Sequence, residues 1–469
     1  MIDTAQPSAT ALDAMRDAAG PGGWTDDASM IAPHLEDWRG RLYGASCLML
    51  RPADTAAVAR IVRAAAQHRV ALVPQGGNTG LVGGGIPSAD GSAVLIDLTR
   101  MNQIRAVDAD GLTMTLEAGV ILSVAHAAAA AAGCVLPLSL AAKDSATIGG
   151  LISTNAGGVQ VLRHGTMRAL VLGLEAVLPD GSVLDQLGGL VKDNSGYDVK
   201  QLLIGAEGTL GIVTAATVRL VPQPAEVTVA LAGVADPHAA LAVLARLRRG
   251  TANAVESFEL MPRVGIDLAM RHVPGNRDPL AETHPWYVLI EAHVTAAQLT
   301  ELLAEAAGAG EIADAAISAS EAQAAALWRL RETLPEAERI DGSALKHDIS
   351  VPVSRMPGFM LDTAAIIEER WPEARVLAFG HLGDGNIHFN VRMPVIGGDE
   401  WVARNGAAIT RFVNDRVMAS GGSISAEHGI GTIKRAELQR LGDPGKLAAM
   451  RVIKAALDPH GIMNPGKVV

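Results

Sequence analysis

The segment Pro74-Gln75-Gly76-Gly77-Asn78-Thr79-Gly80 follows a short apolar run at residues 71–74, and a second glycine run, Gly83-Gly84-Gly85, comes soon after it. Glycine lets a backbone turn sharply and approach a ligand closely, and successive N–H groups in such a loop can point at one anion. Short glycine motifs also form ordinary turns. The segment therefore predicts a strand followed by either an anion-binding loop or a plain turn.

Two familiar nucleotide-binding motifs do not account for this loop. The sequence contains no GxGxxG that opens a helix, which argues against a Rossmann dinucleotide site. Residues 461–467 match GxxxxGK, but Val468 stands where a P-loop requires Ser or Thr. The sequence therefore argues against both a Rossmann site and a P-loop.

Two more clusters of small and hydroxyl residues lie between predicted strands. One covers residues 142–150 and 153–158, and the other covers residues 192–198 and 205–213. Three such clusters exceed what folding alone needs. Together they predict an extended ligand threaded through one domain.

Hydrophobic periodicity predicts alternating strands and helices on both sides of a boundary at Pro222 and Pro224. Before the boundary, helices are predicted at 54–69 and 123–132, and strands at 71–74, 93–98, 113–118, 170–178, 183–185 and 211–221. Beyond it, strands at 226–232 and 287–294 alternate with helices at 237–249 and 296–308. The pattern is typical of an α+β fold whose second domain has an antiparallel sheet with helices on one face.

Composition limits the classes of protein to which the chain can belong. Its 469 residues exceed one ordinary core, and 49% hydrophobic residues with 19% charged residues build a globular protein. A net charge of −11 without a basic cluster argues against nucleic-acid binding, and two cysteines are too few for a disulfide scaffold.

The most apolar stretch, 124–140, is interrupted by Gly133 and Pro137, and the first residues show no secretory or transit pattern. We expect a cytoplasmic protein without a transmembrane segment.

The sharpest local motif is residues 380–390, Gly-His-Leu-Gly-Asp-Gly-Asn-Ile-His-Phe-Asn. Its Gly-Asp-Gly-Asn centre predicts a turn between two strands, and pairing Leu382 with Ile387 would pair His381 with His388. Directly paired side chains lie about 5 Å apart at Cβ, so the two imidazoles can share a metal ion or bond to each other. Residues Glu427 and His428 favour the metal, because two His and one carboxylate leave open positions, as catalytic metal sites do.

The combination of motifs resembles a known family. The segments PQGGNTGLVGGG, IGGLISTNAGG, KDNSGYDVKQLLIGAEGTLGIVT and the terminal NPGK are similar to those of vanillyl-alcohol-oxidase-type flavoproteins, which have a PCMH-type FAD-binding domain. Within them the chain resembles the D-2-hydroxyglutarate and D-lactate dehydrogenase branch over nearly all of residues 43–469. The resemblance implies an FAD-binding domain of two α+β subdomains at 43–223 and a cap domain at 224–450, whose antiparallel sheet is covered by helices. An N-terminal helical extension at 1–42 precedes them, and a C-terminal segment at 451–469 returns to the flavin.

The same resemblance assigns residues to the cofactor. It implies that the 74–80 loop binds the pyrophosphate, through Pro74, Gly76, Gly77, Asn78, Thr79 and Gly80. The flavin side is implied to be lined by Ala146, Thr147, Gly150, Asn155, Gly157, Glu207, Gly208, Ile212, Val213 and Asn464. Some relatives attach FAD covalently through a histidine in or near this loop. No histidine lies between Gln75 and Pro87, so we expect non-covalent FAD.

The resemblance also assigns the chemistry. It implies that His381, His388 and Glu427 bind one divalent metal, zinc as first choice and manganese as the alternative. His428 would accept the hydroxyl proton while the C2 hydride passes to the flavin N5. The substrate would be bound by Arg331, Lys346, Asn390 and His428. Electrons would then pass to an acceptor such as an electron-transfer flavoprotein or a quinone, and a homodimer is compatible with this reading.

The substrate assignment depends on Lys346. A buried lysine without a partner is costly, and a monocarboxylate has no second anion to pair with Lys346. The residue therefore favours a dicarboxylate, D-2-hydroxyglutarate or D-malate. Pro335 stands where some hydroxyglutarate enzymes have Thr, and it should end or kink its helix. D-lactate or another monocarboxylate, an oxygen-using alcohol or sugar oxidase, and a non-enzymatic flavin subunit are the alternatives.

Overall fold

The computed structural model describes residues 6–394 and 398–469 and divides the chain into two compact units. The first unit comprises Met1–Gly157, Gly165–Gln223 and Glu427–Val469, and the second comprises Gly158–His164 and Pro224–Ala426. The division falls at Gln223, the predicted domain limit, but the second unit ends at Ala426 and not at 450. Residues 1–5 of the predicted N-terminal extension lie outside the described residues.

The first unit contains two larger sheets and one two-stranded pair. One has four strands in the order β1 (Trp24–Thr25), β2 (Met49–Leu50), β4 (Ala93–Asp97) and β3 (Ala71–Gln75), with β2 and β3 parallel to β4. The other has five antiparallel strands in the order β5 (Ile104–Asp108), β6 (Thr113–Glu117), β10 (Ile212–Arg219), β8 (Val171–Val177) and β9 (Val183–Gln186). A short pair joins β7 (Cys134–Val135) to β11 (Val221–Pro222). The expected two α+β subdomains are confirmed.

Helices cover both sheets of this unit. They are Ala9–Ala19, Ala28–Ile31, Thr55–His68, Leu122–Ala131, Ile148–Thr154, Met167–Leu170, Lys200–Leu203, Arg435–Leu441 and Pro444–Leu457, with a 3-10 turn at Ala32–His34. The helix predicted at 54–69 begins after Asp54, whose carboxylate accepts a hydrogen bond from the backbone N–H of Ala57. This bond caps the N-terminus of the helix.

The second unit is built on one antiparallel sheet of seven strands. They are β12 (Thr228–Val234), β13 (Val255–Pro262), β14 (Trp286–Ala292), β15 (Asp314–Ile317), β16 (Ala344–Ser350), β17 (Arg375–His381) and β18 (Asn386–Arg392). Their order across the sheet is β15-β12-β14-β13-β17-β18-β16. The predicted antiparallel sheet of the cap domain is confirmed.

The expectation of helices on one face of this sheet is wrong, because helices cover both faces. Pro237–Gly250, Ala296–Gly308, Met356–Arg370 and Gly398–Ala419 pack on one face, and Arg263–His272, Glu321–Glu332 and Leu334–Asp341 pack on the other. The physical reason lies in β13, which is buried along its whole length. Its Phe258 and Leu260 enter one core, whereas Met261 enters the other. A sheet that is apolar on both faces needs cover on both.

Three short features complete the second unit. A helical turn at Val161–His164 and a 3-10 turn at Val353–Arg355 supplement the longer helices. Pro335 lies in the first turn of Leu334–Asp341, directly after the preceding helix ends at Glu332, so the predicted helix end is confirmed. Throughout residues 6–394 and 398–469, no helix is both long and apolar enough to span a bilayer.

Candidate active site

The register of the β17–β18 hairpin differs from the predicted one. His381 pairs with Asn386, and His388 pairs with Phe379, so the predicted direct pairing of His381 with His388 is wrong. The turn begins one residue earlier than predicted, with the backbone N–H of Gly385 donating to the carbonyl of His381. Gly385 takes a φ of +85°, which a glycine adopts without strain.

The two imidazoles are nevertheless neighbours. A displacement of two residues along a strand keeps a side chain on the same face of the sheet, so both rings point the same way. The ring centroids of His381 and His388 lie 5.4 Å apart, at an interplanar angle of 76°. The sheet therefore brings these two predicted ligands together diagonally.

Polar residues of four adjacent strands share this face. Glu259 on β13 pairs with His381 on β17, and Asp348 on β16 pairs with His388 on β18. Lys346 pairs with Asn390 two positions further along the same two strands. The face is the one covered by Glu321–Glu332 and Leu334–Asp341, the helices that carry Arg331 and Glu338.

Glu259 is completely buried and contacts two predicted site residues. Its Oε1 lies 2.5 Å from Nδ1 of His381, and its Oε2 accepts a hydrogen bond of 2.7 Å from Nε of Arg331. Burial alone would raise the pKa of this carboxyl, but the positive charges of His381 and Arg331 and their hydrogen bonds lower it to about 2. Glu259 is therefore an anion within the unit.

Arg331 is positioned from two sides. Its guanidinium carbon lies 5.0 Å from the ring centroid of Phe379, in a cation–π arrangement, while its Nε donates to Glu259. The residue is 7% exposed, so its charge is largely removed from bulk water. The buried Arg331, which was predicted to bind the substrate, therefore shares a partner, Glu259, with the predicted metal ligand His381.

Lys346 is neither buried nor without a partner, which corrects the premise of the dicarboxylate argument. The side chain is 28% exposed, and its Nζ lies 2.9 Å from Oε2 of Glu338. The same oxygen accepts a hydrogen bond of 2.9 Å from Nδ2 of Asn390. Glu338 is fully buried, and its other oxygen has no hydrogen-bond partner among the described residues.

Three acidic residues at this face were not predicted from the sequence. They are Glu259, Glu338 and Asp348. Asp348 is buried, and its Oδ1 accepts a hydrogen bond of 2.9 Å from Nδ2 of Asn386. A signal was present for Glu259, because a lone carboxylate inside the apolar run of residues 258–262 requires a buried partner. The sequence signal for Glu338 is weaker, since acidic residues are common on amphipathic helices.

In the first unit, the glycine loop lies directly against residues 145–147. A Cβ on Gly77 would stand 1.8 Å from the carbonyl oxygen of Ser145, and one on Gly76 would stand 2.1 Å from Oγ1 of Thr147. Gly77 therefore admits no side chain without a backbone shift, and a side chain at Gly76 would force Thr147 to move. Two of the three predicted clusters form one continuous wall.

This wall offers polar groups to a ligand. Among the residues that the structure describes, the backbone N–H groups of residues 77–80 donate no hydrogen bond to a protein acceptor. The buried Oγ1 of Thr147 likewise has no partner within the described chain. Buried polar groups normally find partners, so this arrangement fits a bound anionic group, such as the pyrophosphate of a dinucleotide.

The remaining residues predicted to line the flavin side surround this wall. Thr147 precedes the helix Ile148–Thr154, which contains Gly150 and ends at Asn155 in the left-handed conformation, with φ +52°. Ala146 and Gly157 are buried, and β10 starts at Ile212 and continues through Val213. These assignments remain predictions.

The side chain of Glu207 is directed at another loop. Its two carboxylate oxygens accept hydrogen bonds of 2.7 and 2.8 Å from the backbone N–H groups of Ile430 and Gly431. Burial raises the pKa of this carboxyl, although these two bonds lower it in part. Gly208 follows with φ +72°, and a Cβ there would meet Pro74 at 2.4 Å. Glu207 thus fixes the loop that begins with Glu427 and His428.

The C-terminal segment lies beside the glycine loop, as the resemblance implied. Nδ2 of Asn464 donates to the carbonyl oxygens of Gly84 and Glu207, at 2.8 and 2.7 Å. Nζ of Lys467 donates to the carbonyl of Ile86 and to Oγ1 of Thr432, both at 2.7 Å. Burial lowers the pKa of Lys467 to about 8. The tail, the glycine loop and the loop after His428 therefore form one connected structure.

The predicted metal and base residues are divided between the two units. His381 and His388 belong to the second unit, whereas Glu427 and His428 are the first two residues of the first unit's last segment. The loop that starts there is tied to the glycine loop by backbone bonds from Thr432 and Ile433 to the carbonyl of Val82.

Comparisons with known proteins agree with this architecture. Residues 48–186 match the FAD binding domain, and residues 223–468 match the C-terminal domain of FAD linked oxidases. A D-2-hydroxyglutarate dehydrogenase of Xanthomonas citri pv. viticola is 39% identical over 92% of this chain and 91% of that protein. A mitochondrial D-2-hydroxyglutarate dehydrogenase of Arabidopsis thaliana is 36% identical over 95% of this chain and 78% of that protein.

A solved structure supports the fold alone. Substrate-bound p-cresol methylhydroxylase superimposes with a TM-score of 0.76 at 14% identity, over 98% of this chain and 96% of that one. The expected PCMH-type fold is confirmed. The chain therefore belongs to the FAD-linked oxidase family and is an FAD-dependent oxidoreductase.

Proposed function

We propose that this enzyme oxidises a D-2-hydroxy acid to the 2-keto acid, with D-2-hydroxyglutarate as the first candidate and a divalent metal beside the flavin. The observation that carries the proposal is the polar face of the second unit, where a buried arginine lies beside two neighbouring histidines. The names of the Xanthomonas and Arabidopsis relatives support the choice of substrate. FAD, when bound, takes up the hydride that leaves C2 of the substrate.

The donor set of this face suits a metal such as zinc. Two imidazoles 5.4 Å apart at their centroids can approach one ion. Because Nδ1 of His381 contacts Glu259, His381 would bind the ion through Nε2, the arrangement commonly found at metal-bound histidines. We assign Glu427 as the third ligand and His428 as the acceptor of the hydroxyl proton, on the family motif.

The substrate carboxylate next to C2 is assigned to Arg331. Its Nη1 and Nη2 are the donors that a carboxylate would use, since Nε is occupied by Glu259. Asn390, which Glu338 orients, is a further polar contact on the same face. The side chains of the second unit thus bind and orient the acid, and His428 takes its proton.

A monocarboxylate such as D-lactate is the second candidate. The observation that favours it is the ion pair between Lys346 and Glu338, which already neutralises the lysine. A second substrate carboxylate would have to compete with Glu338 for that charge. The physiological electron acceptor is proposed to be an electron-transfer flavoprotein or a quinone.

The test is an anaerobic substrate screen of the purified holoenzyme, following the visible absorption of the flavin. D-2-hydroxyglutarate should bleach the flavin at least as fast as D-lactate, and L-2-hydroxyglutarate, the matched stereochemical control, should not bleach it. Chelation should abolish bleaching, and Zn²⁺ or Mn²⁺ should restore it. If chelation leaves the activity unchanged and the enzyme turns over with oxygen as acceptor, it would instead belong to the oxidase class.

A further inference from the structure

Glu259 is the residue at which the proposed substrate arginine and a proposed metal ligand meet. One carboxylate oxygen contacts His381 at 2.5 Å, and the other accepts from Arg331 at 2.7 Å. Each oxygen therefore has its own partner. The three residues come from β13, β17 and the helix Glu321–Glu332, so the carboxylate links three separate elements.

Stability of the fold does not explain this carboxylate. Burying a carboxylate is expensive, and a buried ion pair is often no more stable than apolar residues of the same size. The neighbours Phe258 and Leu260 enter one apolar core, and Met261 and Phe379 enter the other. An apolar side chain at 259 could join the second core, so the retained charge indicates a role in the site.

We propose that Glu259 is a positioning residue that fixes Arg331 and His381 in one arrangement and so couples recognition of the substrate carboxylate to the metal. This inference rests on the proposed function. The bond at Nε and the ring of Phe379 together fix the plane of the Arg331 guanidinium. The contact at Nδ1 fixes the orientation of the His381 ring and leaves Nε2 as its metal-binding atom.

The charge of Glu259 has a second consequence. A divalent cation on His381 and the guanidinium of Arg331 would repel each other across a space of low dielectric. The carboxylate between them offsets that repulsion. Loss of its charge should therefore weaken metal binding even where the positions of the two side chains are kept.

The test compares Glu259→Gln with Glu291→Gln in the full-length holoenzyme. Glu291 lies on the neighbouring strand β14, on the same face of the sheet, and its carboxylate bonds to Nε1 of Trp328 at 2.7 Å. It is thus a half-buried glutamate on the same face of the sheet, outside the proposed site. Zn²⁺ affinity is measured by titration against a chelating dye, FAD content by absorbance, and kcat and KM with D-2-hydroxyglutarate.

We expect Glu259→Gln to retain its FAD, to bind Zn²⁺ about 10- to 100-fold more weakly and to raise KM about tenfold, whereas Glu291→Gln should match the wild type. Glu259→Asp provides a second variant if the first does not fold. Its shorter carboxylate can keep only one contact, so either the Zn²⁺ affinity or KM should change.

The outcomes separate this inference from the proposed function. A wild type that binds no Zn²⁺ and keeps its turnover after chelation overturns both. A metal-dependent wild type with Glu259→Gln and Glu259→Asp indistinguishable from Glu291→Gln overturns the role of Glu259 alone.

Discussion

The two units build their candidate sites from different parts of the chain. In the first unit, backbone groups make the site. The backbone at Gly77 lies against residues 145–147 at a distance that only glycine permits, and the N–H groups of residues 77–80 donate to no acceptor among the described residues. In the second unit, side chains of adjacent antiparallel strands make it, and buried carboxylates fix their positions. A backbone site depends on local conformation, whereas a side-chain site depends on the register between distant strands.

The largest effect, a loss of FAD affinity, is expected at Gly77, where the backbone of the glycine loop packs directly against Ser145. In Gly77→Ala, the new Cβ would stand 1.8 Å from the backbone oxygen of Ser145, which cannot rotate away. Overpacking of this kind costs about 1–3 kcal/mol, so the affinity for FAD should fall roughly 10- to 100-fold. The ratio of flavin to protein absorbance in the purified enzyme measures it.

Gly358→Ala, in the helix Met356–Arg370 of the second unit, is the control, because no atom lies within 4 Å of the added Cβ. It should keep its FAD. A Gly77→Ala enzyme that retains full flavin would contradict the role of close backbone packing in the first unit.

This contrast explains which features the sequence could predict. The glycine loop is visible in the sequence, because a run of glycines marks a segment where the backbone can turn sharply or approach another group closely. The neighbouring His381 and His388 were also predictable, since a register displaced by two residues leaves both side chains on one face. The carboxylate partners were not predictable, because Glu259 meets His381, and Glu338 meets Lys346, only through tertiary packing.

The direction of Glu207 shows the same limit in the first unit. Its position within a family motif indicated the cofactor, yet its carboxylate binds the backbone of Ile430 and Gly431. These residues lie more than two hundred positions away in the sequence. No local pattern of residues 205–213 could have identified that partner.

A smaller effect should appear in the pH dependence of the first unit, at the buried Lys467. Its pKa is lowered from 10.5 to about 8 by burial, so between these values the folded chain binds fewer protons than the unfolded chain. The unfolding free energy of the wild type should therefore rise with pH between about 8 and 10.5, by an amount on the order of 1–3 kcal/mol. Lys467→Met should lack this rise.

Urea unfolding at several pH values measures the difference between the two proteins. Lys446→Met, which changes an exposed lysine, serves as the control and should follow the wild type. A difference between wild type and Lys467→Met that stays constant from pH 8 to pH 10.5 would contradict the assigned cost of burying this ammonium group.

The smallest effect concerns the side-chain site and its choice of substrate. Glu338→Gln removes the charge that neutralises Lys346 while keeping a carbonyl oxygen for Asn390. Because the lysine is partly exposed, the pair is worth about 0.2–1 kcal/mol, so KM for D-2-hydroxyglutarate should fall by up to about fivefold. KM for D-lactate, which has no second carboxylate, should not change. Glu336→Gln makes the same charge change on the exposed side of the helix and should alter neither value. If the KM values of Glu338→Gln for both acids fall equally, Lys346 does not bind the second carboxylate. Substrate choice would then depend on Arg331 and the groups around it.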